Sequence, residues 1–162
     1  RLHVLSANVA LKAVGEELGY PELAQLLRRL TEPSQVKTQQ LELFKRMVFN
    51  ILIDNTDDHE KNHALIRDNR GYYYLSPAYD VLPSLQGLRY QQMRVGKFGN
   101  EATLENALSQ AQQFGLTLQQ ASSSINSWIS SSGRSASSSM STGTTGRSGS
   151  FHACATSRGW RA

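Results

Sequence analysis

The sequence has few of the features that mark secreted or membrane-embedded proteins. It contains one cysteine, Cys154, so no disulfide can form within the chain. No apolar run approaches the roughly 18–20 residues that a membrane-spanning helix needs. No basic segment followed by an apolar one opens the chain as it would in a signal peptide. We therefore expect a cytoplasmic protein that makes no contact with a membrane.

Acidic residues are absent from the last third of the chain. All 13 of them lie at or before Glu105. Residues 1–120 carry as many basic as acidic side chains, so the formal net charge of +4 comes from the arginines of the tail. The basic balance of the whole chain therefore does not indicate a nucleic-acid-binding surface.

The composition changes from Ser122 onward, where serine dominates with glycine, threonine and arginine between. No helical or strand periodicity continues after Ile129. Such a segment buries too little apolar surface to offset the entropy of ordering it. We therefore divide the chain into a folded domain, residues 1–120, and a Ser/Gly-rich tail, residues 121–162, which we expect to be disordered or non-native.

The folded domain is predicted to be mainly α-helical with a small β-hairpin. Apolar residues recur at three- and four-residue steps over residues 35–53, which predicts a helix there. Further helices are predicted over residues 6–18, 21–30, 104–114 and 117–129, with Ser6 and Thr103 as N-caps and Gly19 and Gly115 as stops. Turn residues at 68–71 separate two predicted strands, 64–66 and 72–75.

A short polar loop lies between the third helix and the hairpin. Residues 55–62, N-T-D-D-H-E-K-N, carry five ionisable side chains. Carboxylates are rarely buried without a partner, so such a loop is costly unless it serves a function. The natural partners of carboxylates and an amide are a divalent cation and phosphate oxygens. A second acidic segment, residues 76–81, S-P-A-Y-D-V, follows the hairpin.

The spacing of these groups suits phosphoryl transfer. Asp57 precedes Asn62 by five residues, and Asp80 follows beyond the hairpin. Protein kinases use a catalytic Asp, an Asn five residues later and a metal-binding Asp beyond two short strands. One carboxylate accepts the proton of the substrate hydroxyl, while the amide and the second carboxylate hold Mg²⁺ against the phosphates. Lys61 can neutralise charge that develops on the transferred group.

Both segments resemble the HipA-like serine/threonine kinases of bacterial toxin–antitoxin modules. That family carries a T-D-x-H-x-K-N loop followed by a P-x-Y-D segment, which correspond here to residues 56–62 and 77–80. The resemblance covers residues 1–120 and implies a protein-kinase-like carboxyl-terminal lobe. Within it, residues 54–63 would form the catalytic loop and residues 76–82 the metal-binding segment.

The resemblance also implies an activity, namely transfer of the γ-phosphate of ATP to a serine or threonine of a protein substrate. It implies these roles: Asp57 as catalytic aspartate, Asn62 and Asp80 as Mg²⁺ ligands, and His59 and Lys61 as supports of the loop and the ATP phosphates. An aminoacyl-tRNA synthetase is the implied target. A helix-turn-helix antitoxin is the implied partner, with DNA met only through it.

The family's amino-terminal part has no counterpart in the sequence, which begins with Arg1 and not Met. The loop that covers the phosphates and the lysine that contacts ATP belong to that part. We therefore expect the amino-terminal lobe to be absent and this polypeptide alone to have little or no kinase activity.

Two other interpretations remain open. His59 and His63 are four residues apart, so they and a nearby Asp are candidates for the metal site of a hydrolase. In the second interpretation, the chain is a degenerate fragment that acts only as a binding module or has no function. Among the neighbouring residues, Asp58 is interpreted as a structural or solvated acid, and Asp54 as a helix-end or turn residue.

Overall fold

The structure, a computed structural model, describes residues 3–84 and 86–137. The chain divides after Ile125 into two units. The described part of the second unit is the remainder of the last helix. None of the helices in the described residues combines the length and apolar character that a membrane span requires.

Helices dominate the described residues, and a small antiparallel sheet accompanies them, which confirms the predicted helix-rich class. The helices are α1 (Ala7–Ala13), α2 (Tyr20–Leu30), α3 (Val36–Leu52), α4 (Leu104–Ser109) and α5 (Leu118–Ser137). The strands are β1 (His3–Ser6), β2 (Ala64–Arg67) and β3 (Tyr73–Leu75), and short 3₁₀ helices span Glu60–Asn62 and Ala111–Phe114.

The sheet has the order β1-β2-β3, with both pairs antiparallel. The predicted hairpin is confirmed as β2 and β3. Its turn is held by Asp68, whose Oδ1 accepts from the backbone N–H groups of Arg70 and Tyr72, each at 2.9 Å. Strand β1 was not predicted, because four residues give little periodicity and its pairing partner lies about sixty residues away.

The first helix is shorter than predicted. Ser6 is its N-cap, accepting from the N–H of Val9, but the helix ends at Ala13. Gly15 is the residue with the left-handed backbone, at φ 70°, and its N–H bonds the carbonyl of Lys12 at 3.1 Å. The predicted stop at Gly19 is wrong, since Gly19 is extended and precedes the first turn of α2.

The core lies between α2, α3 and the second 3₁₀ helix. Fully or almost fully buried side chains include Leu23, Leu27, Leu43, Phe44, Met47 and Phe114. The rings of Phe44 and Phe114 meet edge to face, with centroids 5.3 Å apart. Leu52, predicted to join the apolar stripe of α3, is instead 44% exposed. Three polar residues of α3 are buried: Gln40, Arg46 and Asn50.

The region after residue 81 contains no named strand among its described residues. Its first helix is α4, with Thr103 as the N-cap. The predicted helix over 104–114 is interrupted after Ser109, whose hydroxyl bonds the carbonyl of Asn106 at 2.6 Å. Gly115 is left-handed at φ 67°, as a helix stop requires.

Helix α5 continues to Ser137, beyond the predicted end at Ile129. Its first turns are anchored by the buried side chains of Ala121 and Ile125, and serine is tolerated in a helix at a cost of only about 0.5 kcal/mol. The helix therefore includes residues 121–137, which the composition assigned to the tail. The rest of the predicted tail, residues 138–162 with Cys154, lies outside the described residues.

Candidate functional site

The polar loop begins where α3 ends. Asp54 follows the C-cap Ile53 with a left-handed backbone, φ 54°, as the prediction of a helix-end residue requires. The N–H of Asn55 then bonds the carbonyl of Asn50 at 2.9 Å. The chain turns away from the helix axis at this point, and the loop runs on to the 3₁₀ helix and β2.

The loop and the second acidic segment border one cavity of about 490 Å³. Its described lining comprises Asn55, Thr56, Asp57, Asp80, Leu82, Pro83, Ser84 and Gln86. Asp57 and Asp80 are both exposed, so the two carboxylates border a space open to solvent. Two separate segments of the chain therefore each place one aspartate at the border of the same cavity.

The carboxylate of Asp57 is oriented by a side chain that the sequence did not indicate. The amide nitrogen of Gln92 donates to Oδ1 of Asp57 at 2.9 Å. Gln92 lies between β3 and α4, outside the named helices and strands, and a single glutamine carries no signal that separates it from other polar residues.

The second acidic segment is fastened at two points before it reaches the cavity. The guanidinium of Arg46, buried on α3, donates through Nη2 to the carbonyl of Ser76 at 2.7 Å. The hydroxyl of Tyr79 donates to the carbonyl of Lys61 at 2.7 Å. Partial burial, with Asp80 nearby, raises the pKa of Tyr79, so this hydroxyl stays a donor at neutral pH.

Asp80 itself has a left-handed backbone, φ 56°. A non-glycine residue with positive φ is uncommon, although Asp and Asn tolerate this conformation better than other residues. Such strain costs of order 1–3 kcal/mol and clusters at functional sites.

The far wall of the cavity is tied to the end of α3. The carbonyl of Asp54 accepts from the N–H of Ser84 at 3.2 Å, and its Oδ2 accepts from the N–H of Gly87 at 2.7 Å. Asp54 therefore positions Ser84 and Gly87 as well as ending the helix. The sequence indicated only the second of these roles.

The other predicted site residues do not line the cavity in the described structure. Asn62 is 6% exposed, and its N–H bonds the carbonyl of His59 at 2.8 Å. His59 is half-buried, and its Nδ1 is buried with no hydrogen-bond partner among the described residues. Lys61 is exposed, and its carbonyl accepts from Tyr79.

Asp58, next to the exposed Asp57, is buried. Its Oδ2 accepts from the Tyr20 hydroxyl and lies 3.0 Å from Nε2 of His63. Burial, reinforced by the adjacent Asp58, raises the pKa of Tyr20 well above its ordinary value. Of the two roles proposed for Asp58, the structural one agrees with this position.

The hydrolase interpretation gains no support from this arrangement. Within residues 3–84 and 86–137, no group of three or more His, Cys, Asp or Glu side chains is placed to hold a metal ion. His63 is engaged by Asp58 in the interior. Among the described residues, His59, His63 and an Asp are therefore not grouped as zinc ligands.

Comparison with known proteins gives one clear result. A model of the HipA-like C-terminal domain matches residues 1–136. A search among curated proteins finds no match to the chain. The matched range contains both acidic segments and extends past residue 120, where the sequence pattern placed the end of the domain.

Proposed function

The chain belongs to the family of HipA-like C-terminal domains, and from this we propose that it carries the catalytic loop of an ATP-dependent serine/threonine protein kinase. Asp57 is the catalytic aspartate and Asp80 a Mg²⁺ ligand at the cavity. Asn62, the second ligand that the resemblance implies, is buried and does not line this cavity, so its side chain would have to turn toward the ion. The substrate is a hydroxyl group of a protein. We also propose a helix-turn-helix partner protein, as the family resemblance implies.

One observation supports this proposal above the others: Asp57 and Asp80, from separate segments, border the same cavity. Carboxylate and amide oxygens are the ligands that Mg²⁺ prefers, so the donor types fit the ion. The left-handed backbone of Asp80 also suits a residue held in place for its side chain.

The protein's own groups have distinct tasks in this proposal. Asp57 receives the proton of the substrate hydroxyl while that oxygen bonds to the γ-phosphorus and the bond to the β-phosphate oxygen breaks, releasing ADP. Gln92 donates a hydrogen bond to one oxygen of the Asp57 carboxylate. The carboxylate therefore has fewer orientations to lose when the transition state forms. When bound, Mg²⁺ would neutralise charge on the phosphates.

Phosphotransfer is tested with the full chain, alone and with the amino-terminal lobe of a HipA-like kinase fused before Arg1. Radiolabelled ATP and a library of Ser/Thr peptides serve as substrates. We expect activity in the fusion that Asp57→Asn lowers by at least 10²-fold, while Glu105→Gln, a substitution on α4, has little effect. Activity that survives Asp57→Asn would refute the assignment.

Metal binding is tested separately on the chain itself. Mn²⁺ replaces Mg²⁺ as a paramagnetic probe, in the presence of ATP, and its Kd is measured by electron paramagnetic resonance. Asp80→Asn keeps a side chain that tolerates positive φ but removes the charge, so we expect a Kd at least about tenfold higher. An Asp80→Asn variant with the affinity of Glu105→Gln would exclude Asp80 as a ligand.

A further inference from the structure

The polar loop is attached to the interior by a continuous series of hydrogen bonds. The Asn55 amide donates to Oδ1 of Asn50 at 3.1 Å, and the Asn50 amide donates to the Tyr20 hydroxyl at 3.1 Å. Tyr20 donates in turn to Asp58, which His63 also contacts at 3.0 Å. The series starts at one end of the loop, passes through α3 and α2, and returns to the loop.

All five of these side chains are buried. Their exposed fractions are Tyr20 0%, Asn55 2%, Asp58 2%, Asn50 3% and His63 3%. Burying a polar group is unfavourable unless it is hydrogen-bonded, and partly satisfied networks destabilise a core. An apolar cluster would fill the same space without this demand, so the network has a role other than filling volume.

The hydrogen bonds of the series have donor and acceptor directions that agree with one another. The Tyr20 hydroxyl accepts from Asn50 and therefore directs its own proton to Asp58. An ionised Asp58 accepts hydrogen bonds and donates none, so with that form of Asp58 Nε2 of His63 is the donor of their 3.0 Å contact. The rings of Tyr20 and His63 also pack edge to face, with centroids 5.4 Å apart.

We propose that Tyr20 and Asp58 are positioning residues that set the place of Asp57 in the cavity. This rests on the function proposed above for Asp57. The buried side chains of Asn55 and Asp58 fix both ends of this short backbone segment in the interior. Asp57 lies between these two fixed ends and projects from the segment. Neither Tyr20 nor Asp58 touches the reacting atoms. They act through the backbone on either side of Asp57.

The first test measures the loop directly, without reference to activity. Amide hydrogen exchange of peptides covering residues 54–63 is compared in the full chain, Tyr20→Phe and Asp58→Asn. The control is Tyr72→Phe, which removes a hydroxyl from the hairpin. We expect exchange in residues 54–63 to rise about tenfold or more in the two test variants, with α3 changing less. Exchange equal to that of Tyr72→Phe overturns the proposal.

The second test separates positioning from stability alone. In the fusion that transfers phosphate, Tyr20→Phe should lower kcat about 10- to 100-fold while KM for ATP changes little, because the catalytic group is misplaced and the nucleotide contacts remain. His63→Gln retains a nitrogen donor near Asp58 and should keep most of the activity. A wild-type kcat in Tyr20→Phe, despite faster exchange, also overturns the proposal.

The two proposals fail in different ways. If Asp57→Asn retains activity, or the fusion transfers no phosphate, the proposed function fails and the exchange experiment alone decides the positioning role. If Asp57→Asn is inactive but Tyr20→Phe is not, the function stands and the positioning role is excluded. Asp58→Asn provides the same comparisons if Tyr20→Phe does not fold.

Discussion

The hydroxyl of Tyr79 donates a hydrogen bond to the backbone carbonyl of Lys61 at 2.7 Å. This bond joins the segment that carries Asp80 to the loop that carries Asp57. The side chain of Tyr79 is 43% exposed. Its hydroxyl therefore contributes more to the relative position of the two segments than its ring contributes to the core.

Replacing Tyr79 by Phe should loosen this connection while leaving the fold intact. The lost hydrogen bond is partly exposed, so we expect the free energy of unfolding to fall by only about 0.5–1 kcal/mol. The Kd of Mn²⁺–ATP should rise several-fold, because Asp80 is less well held. Urea denaturation and electron paramagnetic resonance measure the two effects. Tyr90→Phe is the matched control, and equal metal affinity in both variants would contradict the expectation.

Arg46 should be more important for stability than Tyr79. Its guanidinium is 9% exposed and bonds Oε1 of Glu42 at 2.8 Å as well as the carbonyl of Ser76. Hydrogen bonds to charged groups contribute about 1.5–3 kcal/mol each, so Arg46→Met should lower the free energy of unfolding by about 2–3 kcal/mol. Urea denaturation measures this loss.

A second substitution tests the reason for that loss. Glu42→Gln removes the charge that Arg46→Met leaves uncompensated, so the double variant should be less destabilised than the sum of the two single variants. Strict additivity would show that the ion pair contributes nothing and that the contact with Ser76 accounts for the effect.

The parts of the fold that the sequence predicted well depend on local signals. Helix α3, the hairpin, and the caps at Ser6 and Thr103 each follow from periodicity or from side-chain chemistry within a few residues. The position of the polar loop likewise follows from a run of neighbouring residues between an apolar helix and a hairpin. These signals need no knowledge of which distant segments meet.

The parts that were missed depend on contacts between distant segments. Asn50 lies on the polar side of a helical pattern, yet it is buried because Tyr20 and Asn55 satisfy its amide. Strand β1 exists only through its pairing with β2. Gln92 reaches Asp57 from a segment with no regular periodicity. Burial of a polar residue is decided by its partners, and a single sequence does not reveal them.

The pair Phe44 and Phe114 should carry a large share of core stability. Phe44 is 1% exposed, so Phe44→Ala should lower the free energy of unfolding by about 3–5 kcal/mol through lost transfer energy and the cavity that remains. Phe98, which is 51% exposed, is the control and should change it by less than about 1 kcal/mol on substitution by Ala. Similar losses in both variants, measured by urea denaturation, would contradict the assigned core.

The ion pair between Glu32 and Arg70 should make stability depend on pH. Arg70 donates to both carboxylate oxygens of Glu32, at 2.9 and 2.6 Å, and these hydrogen bonds lower the pKa of Glu32 from its ordinary value of 4.5. A carboxyl group whose pKa is lowered in the folded state stabilises the fold above its unfolded pKa. That contribution disappears as the pH falls through the folded pKa.

Arg70→Met should therefore be less stable than the wild type at pH 7, and the difference should shrink as the pH falls below 4.5. Both partners are on the surface, so the effect is small and should weaken further in high salt. Urea midpoints across this pH range measure it. Arg28→Met, at an exposed position with no ion pair among the described residues, should show no such convergence. A difference between Arg70→Met and wild type that stays constant with pH would mean that Arg70 acts through packing on Tyr72 and not through Glu32.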